Sequence, residues 1–375
     1  MKKTIRYTIS TLCACSLLLS CSRAEMPETD RTMHPDLSAP ITLGSSISGS
    51  LTKGQPPLDN VNIIETDIGL FAGFNVPDEP FSDTTFGNGV MSNVKFSRNA
   101  TDGKWHGSTA CYWPVTGSLS LFAYAPYQED LQVSPSYAGG PLSILFSPSQ
   151  SSVTYQRDFC VAAPVYNQTK TSDAVSMSFH HTLCQIFFFA SYTGTPLNDC
   201  VLVIDEITLG GVAGTNTLTY GAQGSSSEVF TWADVSTQPR TASYTILSNE
   251  LQCSPTNPVP KYDEAKEVSD RDISITGING RMFLIPQTLT EDNSLSITWS
   301  FMRKNGNQWQ RVSQFLTETK LPYTGDAPVW EAGKTMEYHM RLNLGAFADV
   351  TVSANVTDWL SAGNPGNDRT HNIID

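Results

Sequence analysis

The chain has 375 residues, and only 16% of them are charged, against roughly 25% in an average soluble protein. It carries 23 basic and 36 acidic residues, a net charge of −13 that argues against nucleic-acid binding, because such proteins gather positive charge against phosphate. An aromatic content of 10% argues against intrinsic disorder, and scarce charge beside many hydroxyl residues indicates a β-rich protein.

The first residues are typical of an export signal that ends at a lipidated cysteine. Positively charged residues precede a mostly apolar run over 7–19, which is shorter than the roughly 20 residues needed to span a bilayer. The run leads into Leu-Leu-Ser directly before Cys21, the pattern of a bacterial lipoprotein signal. We therefore predict a signal peptide over 1–20 and acylation of Cys21. The alternative is an ordinary secretory signal.

The segment after Cys21 is predicted to be a flexible tether followed by one short strand. Residues 21–40 are polar and contain almost no apolar side chains. The apolar residues of the next segment fall on odd positions, which is the period-two pattern of a half-buried strand. They are Ile41, Leu43, Ile47 and Leu51.

Short strand patterns separated by Gly, Pro and Asn turn signals continue along the rest of the chain. No pattern predicts a helix of 12 residues or more, so we predict an all-β fold built from β-sandwiches. A polar gap at 167–173 suggests an N-terminal domain over 41–172, a C-terminal domain over 173–361 and a polar tail over 362–375. The strand patterns lie at 68–74, 119–125, 175–179, 183–189, 201–209, 244–247, 282–285, 295–301, 336–344 and 350–356.

Five cysteines follow the predicted lipidation site, and none has the spacing of a zinc or redox motif. Their odd number leaves at least one without a disulfide partner, and the sequence leaves the pairing open. We interpret Cys184, within an apolar strand pattern, as a small buried hydrophobic residue. We expect no metal and no cofactor. The five are Cys111, Cys160, Cys184, Cys200 and Cys253.

The sequence lacks four common catalytic and cofactor-binding motifs, so we predict that the protein is not an enzyme. It has no GxSxG elbow, no HExxH, no phosphate-binding P-loop and no GxGxxG fingerprint. His180 and His181 are the most suggestive pair, but adjacent residues of a strand point to opposite faces. We therefore interpret both histidines as structural.

Four landmarks in a fixed order resemble the fimbrillin family, the subunits of type V pili of anaerobic Gram-negative bacteria. They follow a lipoprotein signal, and the resemblance spans roughly residues 41–361. The landmarks are Asp-Ile-Gly-Leu-Phe-Ala at 67–72, Tyr-Trp-Pro at 112–114 with Leu-Phe-Ala-Tyr-Ala-Pro at 121–126, Val-Ser-Met-Ser-Phe-His-His at 175–181, and Leu-Ile-Pro-Gln at 284–287 with Val-Thr-Asp-Trp at 356–359.

The resemblance implies two tandem transthyretin-like β-sandwich domains and a structural role in a pilus, or fimbrium, at the cell outer membrane. In this family a trypsin-like surface protease removes an N-terminal strand, and a strand of the neighbouring subunit fills the groove left behind. The implied partners are other fimbrillin subunits, that protease, and the outer membrane through the lipid anchor. The implied function is adhesion, with no nucleic-acid partner.

Applied to this chain, the family scheme predicts cleavage after Lys53 and makes 41–51 the groove-filling strand. The other basic residues between the lipidation site and Lys95 are Arg23 and Arg31, and a cut at either would leave that strand attached. The site precedes a Pro-rich loop, where the backbone is accessible. The alternative is that Lys53 is an ordinary loop lysine and the chain stays uncut, which would suit an anchor subunit.

Two further questions stay open in the sequence. The strand pattern at 350–356 alternates well, but Trp359 directly after it suggests that it belongs to its own domain, so the donated strand is not identified. A second hypothesis is a surface lipoprotein that binds glycans or host proteins without polymerising. Its candidate contact residues are the aromatic side chains of Trp105, Trp309, Tyr323 and Trp330.

Overall fold

The chain folds into β-strands joined by turns and loops, as the sequence predicts. The computed structural model describes residues 32–47, 65–77, 88–133, 142–221, 229–235, 240–266, 272–276, 281–323, 329–345 and 349–358. These ranges hold 25 strands, a turn of 3-10 helix at Val153–Tyr155 and no α-helix. Within them, no helical segment has the length and hydropathy needed to cross a membrane.

The strands follow one another along the whole described chain. In chain order they are β1 (Pro35–Pro40), β2 (Thr42–Ile47), β3 (Ile68–Asn75), β4 (Asn88–Arg98), β5 (Trp105–Gly107), β6 (Tyr112–Pro114), β7 (Ser118–Ala125), β8 (Gln132–Val133), β9 (Ser143–Phe146), β10 (Cys160–Ala162), β11 (Val165–Gln168), β12 (Val175–His181), β13 (Cys184–Thr193), β14 (Cys200–Val212), β15 (Asn216–Tyr220), β16 (Phe230–Trp232), β17 (Ala242–Leu247), β18 (Ile273–Ser274), β19 (Met282–Leu284), β20 (Gln287–Thr288), β21 (Ser294–Asn305), β22 (Gln308–Lys320), β23 (Val329–Trp330), β24 (Lys334–Asn343) and β25 (Asp349–Asp358).

The N-terminal strands form a sheet that closes on itself. Its order is β10-β12-β2-β5-β4-β3-β7-β11, and β10 also pairs with β7. The pairing therefore runs in a ring from β10 round to β7, and we call this ring the closed sheet. Strands β1 and β6 form a separate two-stranded ribbon.

The remaining strands form four further sheets. One larger sheet has the order β18-β13-β24-β25, with β19 also paired to β13, and the other has the order β17-β14-β21-β22. A four-stranded sheet has the order β16-β15-β9-β8. In it, β9, which comes before β10 in the chain, pairs with the later strand β15. Strands β20 and β23 form a short ribbon.

Strands β3 and β7 are buried on both faces because they separate two hydrophobic clusters. Leu70 and Leu121 belong to the inner core of the closed sheet. Phe71 and Phe122 point the other way, into a second cluster shared with Tyr220 and other residues of the later strands. Continuous burial explains why these two strands have apolar runs in place of a clean alternation.

The boundary predicted at residues 172 and 173 is misplaced. Strand β12 was expected to open a C-terminal domain, but it pairs with β10 and β2 inside the closed sheet. The polar gap marks a surface connection between two strands of one sheet, since β11 lies before it and also belongs to that sheet. The described residues, which begin at Thr32, belong to one compact unit, so two tandem transthyretin-like domains remain a prediction.

The flexible tether predicted over 21–40 is also too long at its C-terminal end. Residues 35–40 form β1, which pairs antiparallel with β6. This strand lacks an apolar alternation because most of its side chains are exposed, and its two terminal prolines suit an edge strand. Residues 1–31, with Cys21, and the tail 359–375, with Trp359, lie outside the described residues.

The five cysteines after the predicted lipidation site are all buried and unpaired with one another. Cys184 has no exposed surface, in line with its interpretation as a small hydrophobic residue. Burial raises the pKa of the Cys184 thiol above its usual range, so the group is neutral and poorly reactive.

Candidate functional site

Strand β2 fills a slot between two strands of the closed sheet. On one side it runs parallel to β12, in register from Val175 opposite Leu43 to Phe179 opposite Ile47. On the other side it pairs antiparallel with β5, where Leu43 lies opposite Trp105. Its removal would leave β12 and β5 with unpaired backbone groups that another extended segment would satisfy.

Two of the four predicted groove-filling side chains anchor this segment in the inner core. Ile41 and Leu43 are buried among the apolar side chains of the closed sheet. Burial of each such side chain contributes on the order of 2 kcal/mol to keeping the segment in place. The side chain of Ile47 and the whole of Leu51 lie outside the described residues.

The middle of β2 packs less well than its beginning. Gly44 contributes no side chain, and a Cβ built there would meet only Ala174, at 3.8 Å. The Ser45 hydroxyl is buried and has no hydrogen-bond partner. An unsatisfied buried hydroxyl costs free energy, so β2 is held by its backbone hydrogen bonds and its two apolar anchors.

The segment before β2, which includes β1, is held to the rest of the molecule by backbone hydrogen bonds and one ion pair. The backbone of Val115 donates to the carbonyl of His34 at 2.9 Å, and that of Ile41 donates to Cys111 at 2.9 Å. Lys170 lies 2.6 Å from Asp36 of β1. The hydrogen bond from Lys170, with those from Ser38, lowers the pKa of Asp36 to about 2.

Lys53, the predicted cleavage site, follows β2 in the chain and precedes β3. It lies in 48–64, which is outside the described residues. The chain order still fixes what a cut there would do. Strands β1 and β2 would be severed from β3 and the rest of the chain, whereas a cut after Arg31 would leave both attached.

Two of the four aromatic residues named for glycan binding belong to the core. Trp105 and Trp330 are buried, and their indole nitrogens donate to the Thr66 carbonyl and the Tyr338 hydroxyl. Trp309 is half-buried and Tyr323 is 37% exposed. Two of these four side chains are therefore not available to a glycan.

Sequence reasoning missed a polar cluster at the end of the inner core. His181 pairs with Asp158 and also contacts the thiol of Cys160. His180 is not part of the cluster, as expected for the opposite face of the strand, and burial with the neighbouring His181 lowers its pKa. The spacing of Asp158 and Cys160 is a weak signal by itself, because their contact with His181 depends on the register of β10 and β12.

Strand β25 is occupied within its own sheet. It pairs antiparallel with β24 along its full length, from Asp349 opposite Asn343 to Asp358 opposite Lys334. Val350 is buried in the C-terminal core. This pairing agrees with the expectation that the strand belongs to its own sheet.

Together these features define a β-rich protein in which an N-terminal strand, joined to the rest by one connection, fills a slot in a closed sheet. The model of the fimbrillin-like family matches residues 62–359, and the chain belongs to that family. The matched range includes β12 and β5, which flank the slot, and excludes β1 and β2.

The chain is also similar to several solved structures. A fimbrial protein of Bacteroides vulgatus has 17% identity and a TM-score of 0.59, with 85% of this chain and 99% of that chain covered. A candidate cell adhesion protein of Bacteroides uniformis has 19% identity and a TM-score of 0.46, with 85% and 99% covered. A fimbrilin of Porphyromonas gingivalis has 8% identity and a TM-score of 0.40, with 86% and 99% covered. A search of curated proteins gives no match.

Proposed function

We propose that this protein is a structural subunit of a type V pilus at the outer membrane, where it serves adhesion. In this proposal the chain is exported as a lipoprotein acylated at Cys21, and a trypsin-like protease cuts after Lys53. Strands β1 and β2 then leave, and an extended segment of a neighbouring fimbrillin subunit enters the slot between β12 and β5.

One observation carries this proposal. Strand β2 has a backbone partner on each side within the closed sheet, yet it is joined to the rest of that sheet by a single connection that contains Lys53. Before cleavage β2 competes with any external strand as an intramolecular segment, and the high effective concentration keeps the subunit from polymerising. After cleavage that advantage is gone.

Family membership and the fold support the proposal from a second direction. The matched family is that of the fimbrillins, and a fimbrial protein shares the fold. The net charge of −13 argues against a nucleic-acid partner, and the sequence has none of the catalytic motifs named above, which fits a structural subunit. Trp105 and Trp330 are buried, which leaves a separate glycan-binding role with only two of its four candidate contact residues.

The decisive experiment compares Lys53→Gln with Arg31→Gln in the full-length chain treated with trypsin. We expect the wild type and Arg31→Gln to yield a fragment beginning at Gly54 and a ladder of oligomers on a gel. We expect Lys53→Gln to stay monomeric because β2 remains attached. Oligomers of Lys53→Gln that form at the wild-type rate, or wild-type oligomers of intact chain, would contradict the proposal.

A further inference from the structure

Three side chains of different chemistry meet on the inner face of the closed sheet. Cys160 of β10 lies directly opposite His181 of β12 in the antiparallel register. His181 continues the inward alternation of β12, whose preceding members Met177 and Phe179 lie in the inner core. Asp158 is two residues before Cys160, and its carboxylate reaches the same point.

The distances between the three polar atoms are close to those of a metal site. Cys160 Sγ is 3.4 Å from His181 Nδ1 and 3.4 Å from Asp158 Oδ2. His181 Nδ1 is 2.8 Å from Asp158 Oδ2. A tetrahedral zinc ion with bonds of about 2.0–2.3 Å places its ligand atoms roughly 3.3–3.6 Å apart, so mainly the third separation would have to widen, by about 0.5 Å.

The geometry is unsuited to nucleophilic catalysis. Thiol and carboxylate both contact the same ring nitrogen, Nδ1 of His181. A catalytic relay needs the nucleophile on one ring nitrogen and the carboxylate on the other. Burial, followed by the charge of Asp158, raises the pKa of Cys160 far above its usual range, so without a cation the thiol is neutral.

The burial of the cluster also favours a bound cation. The side chains of His181 and Asp158 are only 7% and 2% exposed, and Cys160 has no exposed surface. Burial of a carboxylate beside an imidazole and a thiol costs desolvation free energy. A divalent cation bound by all three would offset that cost.

We propose that Asp158, Cys160 and His181 bind a divalent cation of borderline softness, with zinc preferred. A sulfur, a nitrogen and an oxygen donor suit zinc, whereas calcium and magnesium require oxygen ligands alone. The fourth ligand is water or the second oxygen of Asp158. Binding displaces the thiol proton of Cys160 and any proton on His181 Nδ1 to solvent.

This site would fasten β10 to β12 without involving β2. Its three residues stay in the subunit whether or not the chain is cut after Lys53. A failure to bind zinc would therefore leave the proposed pilus role untouched, and the converse also holds.

The test is a titration of the full-length chain with Co²⁺, a spectroscopic substitute for zinc, and with Zn²⁺ followed by metal analysis after dialysis. We expect the wild type to show the thiolate-to-cobalt absorption and to retain one more equivalent of zinc than Cys160→Ser. We also expect His181→Ala to lower the zinc affinity at least tenfold.

Two matched variants separate a site from general binding by cysteines and histidines. Cys111→Ser removes another buried thiol, which donates to the Thr109 carbonyl, and His180→Ala removes the adjacent histidine on the opposite face. Both should bind zinc as the wild type does. Wild-type protein without the cobalt absorption, or equal zinc retention in wild type and Cys160→Ser, would overturn the proposal and leave a hydrogen-bonded polar cluster.

Discussion

His339 of β24 is a half-buried residue held between two carboxylates. Its Nδ1 lies 2.6 Å from Asp272 Oδ2, its Nε2 lies 3.8 Å from Glu337 Oε2, and its ring stacks on Phe189. Burial alone would lower the pKa of His339. The hydrogen bond with Asp272, the contact with Glu337 and the negative charges of both carboxylates outweigh burial and raise the pKa to about 9.

This raised pKa predicts a stability that depends on pH. The folded-state value lies above the ordinary value of 6.5, so the folded protein binds the proton more tightly than the unfolded chain. The stabilisation is fully present below about pH 6.5 and is lost as the pH rises through about 9. We therefore expect the melting temperature of the wild type to fall more between pH 6 and pH 10 than that of His339→Gln.

A second histidine supplies the control for this measurement. His106 forms an ion pair with Asp102 at 2.8 Å, but both side chains are about 40% exposed, so solvent screens the pair. His106→Gln should keep the pH dependence of the wild type. Parallel melting profiles of the wild type and His339→Gln would contradict this prediction, because the pair of His339 and Asp272 would then add no pH-dependent stability between pH 6 and pH 10.

At the scale of the element, β1 and β2 make different contributions to the stability of the uncut chain, although both precede Lys53. Leu43 of β2 is buried in the inner core, whereas Leu37 of β1 is 72% exposed. We predict that Leu43→Ala lowers the free energy of unfolding of the uncut chain by about 2–5 kcal/mol, and that Leu37→Ala changes it by less than about 0.5 kcal/mol. Urea denaturation measures both, and equal effects would mean that β2 is not anchored by its apolar side chains.

Eleven of the 25 described strands coincide with a strand pattern in the sequence, and the strands that were missed are mostly short or exposed. Strands β3, β7 and β12 follow from apolar runs or clean alternation. Strand β22 was missed because it is exposed along most of its length and so has no apolar period. The two-residue turn at Gly306 and Asn307 was the available signal, since Gly306 adopts a φ of 60° and glycine at the first turn position favours hairpins.

The slot that holds β2 was predictable only in part, because its walls come from strands that are far from β2 in the sequence. The alternation that contains Ile41 and Leu43 revealed a strand, but its neighbours β12 and β5 are distant in sequence. The contact of Asp158 and Cys160 with His181 likewise depends on pairing between separate strands. Periodicity reports which face of an element is buried, and it carries little information about long-range register.

At the scale of the whole molecule, the earlier and later strands share one hydrophobic cluster. Phe122 of β7 packs edge-on against Tyr220 of β15, and the Tyr220 hydroxyl donates to the Ala123 carbonyl at 2.7 Å. The backbone of Phe283 donates to the side chain of Gln156 at 2.8 Å. These contacts do not involve β2, so its release should leave the junction between the closed sheet and the later strands in place.

The central claim is that β2 occupies the position that a strand of the next subunit takes. Thr42 of β2 and His106 of β5 are opposite each other in the antiparallel pairing, and both are half-buried. Opposite residues of antiparallel strands lie at the Cα separation that a disulfide needs. The double variant Thr42→Cys with His106→Cys should therefore fasten β2 in its slot even after the chain is cut.

The most direct measurement is the oligomer ladder of this double variant after trypsin cleavage, with and without a reducing agent. We predict that the oxidised variant is cut after Lys53 but stays monomeric, and that reduction restores the ladder. Thr42→Cys alone should polymerise under both conditions. A ladder formed by the oxidised, cleaved double variant at the rate of the reduced one would contradict the claim, because polymerisation would then proceed with β2 still in its slot.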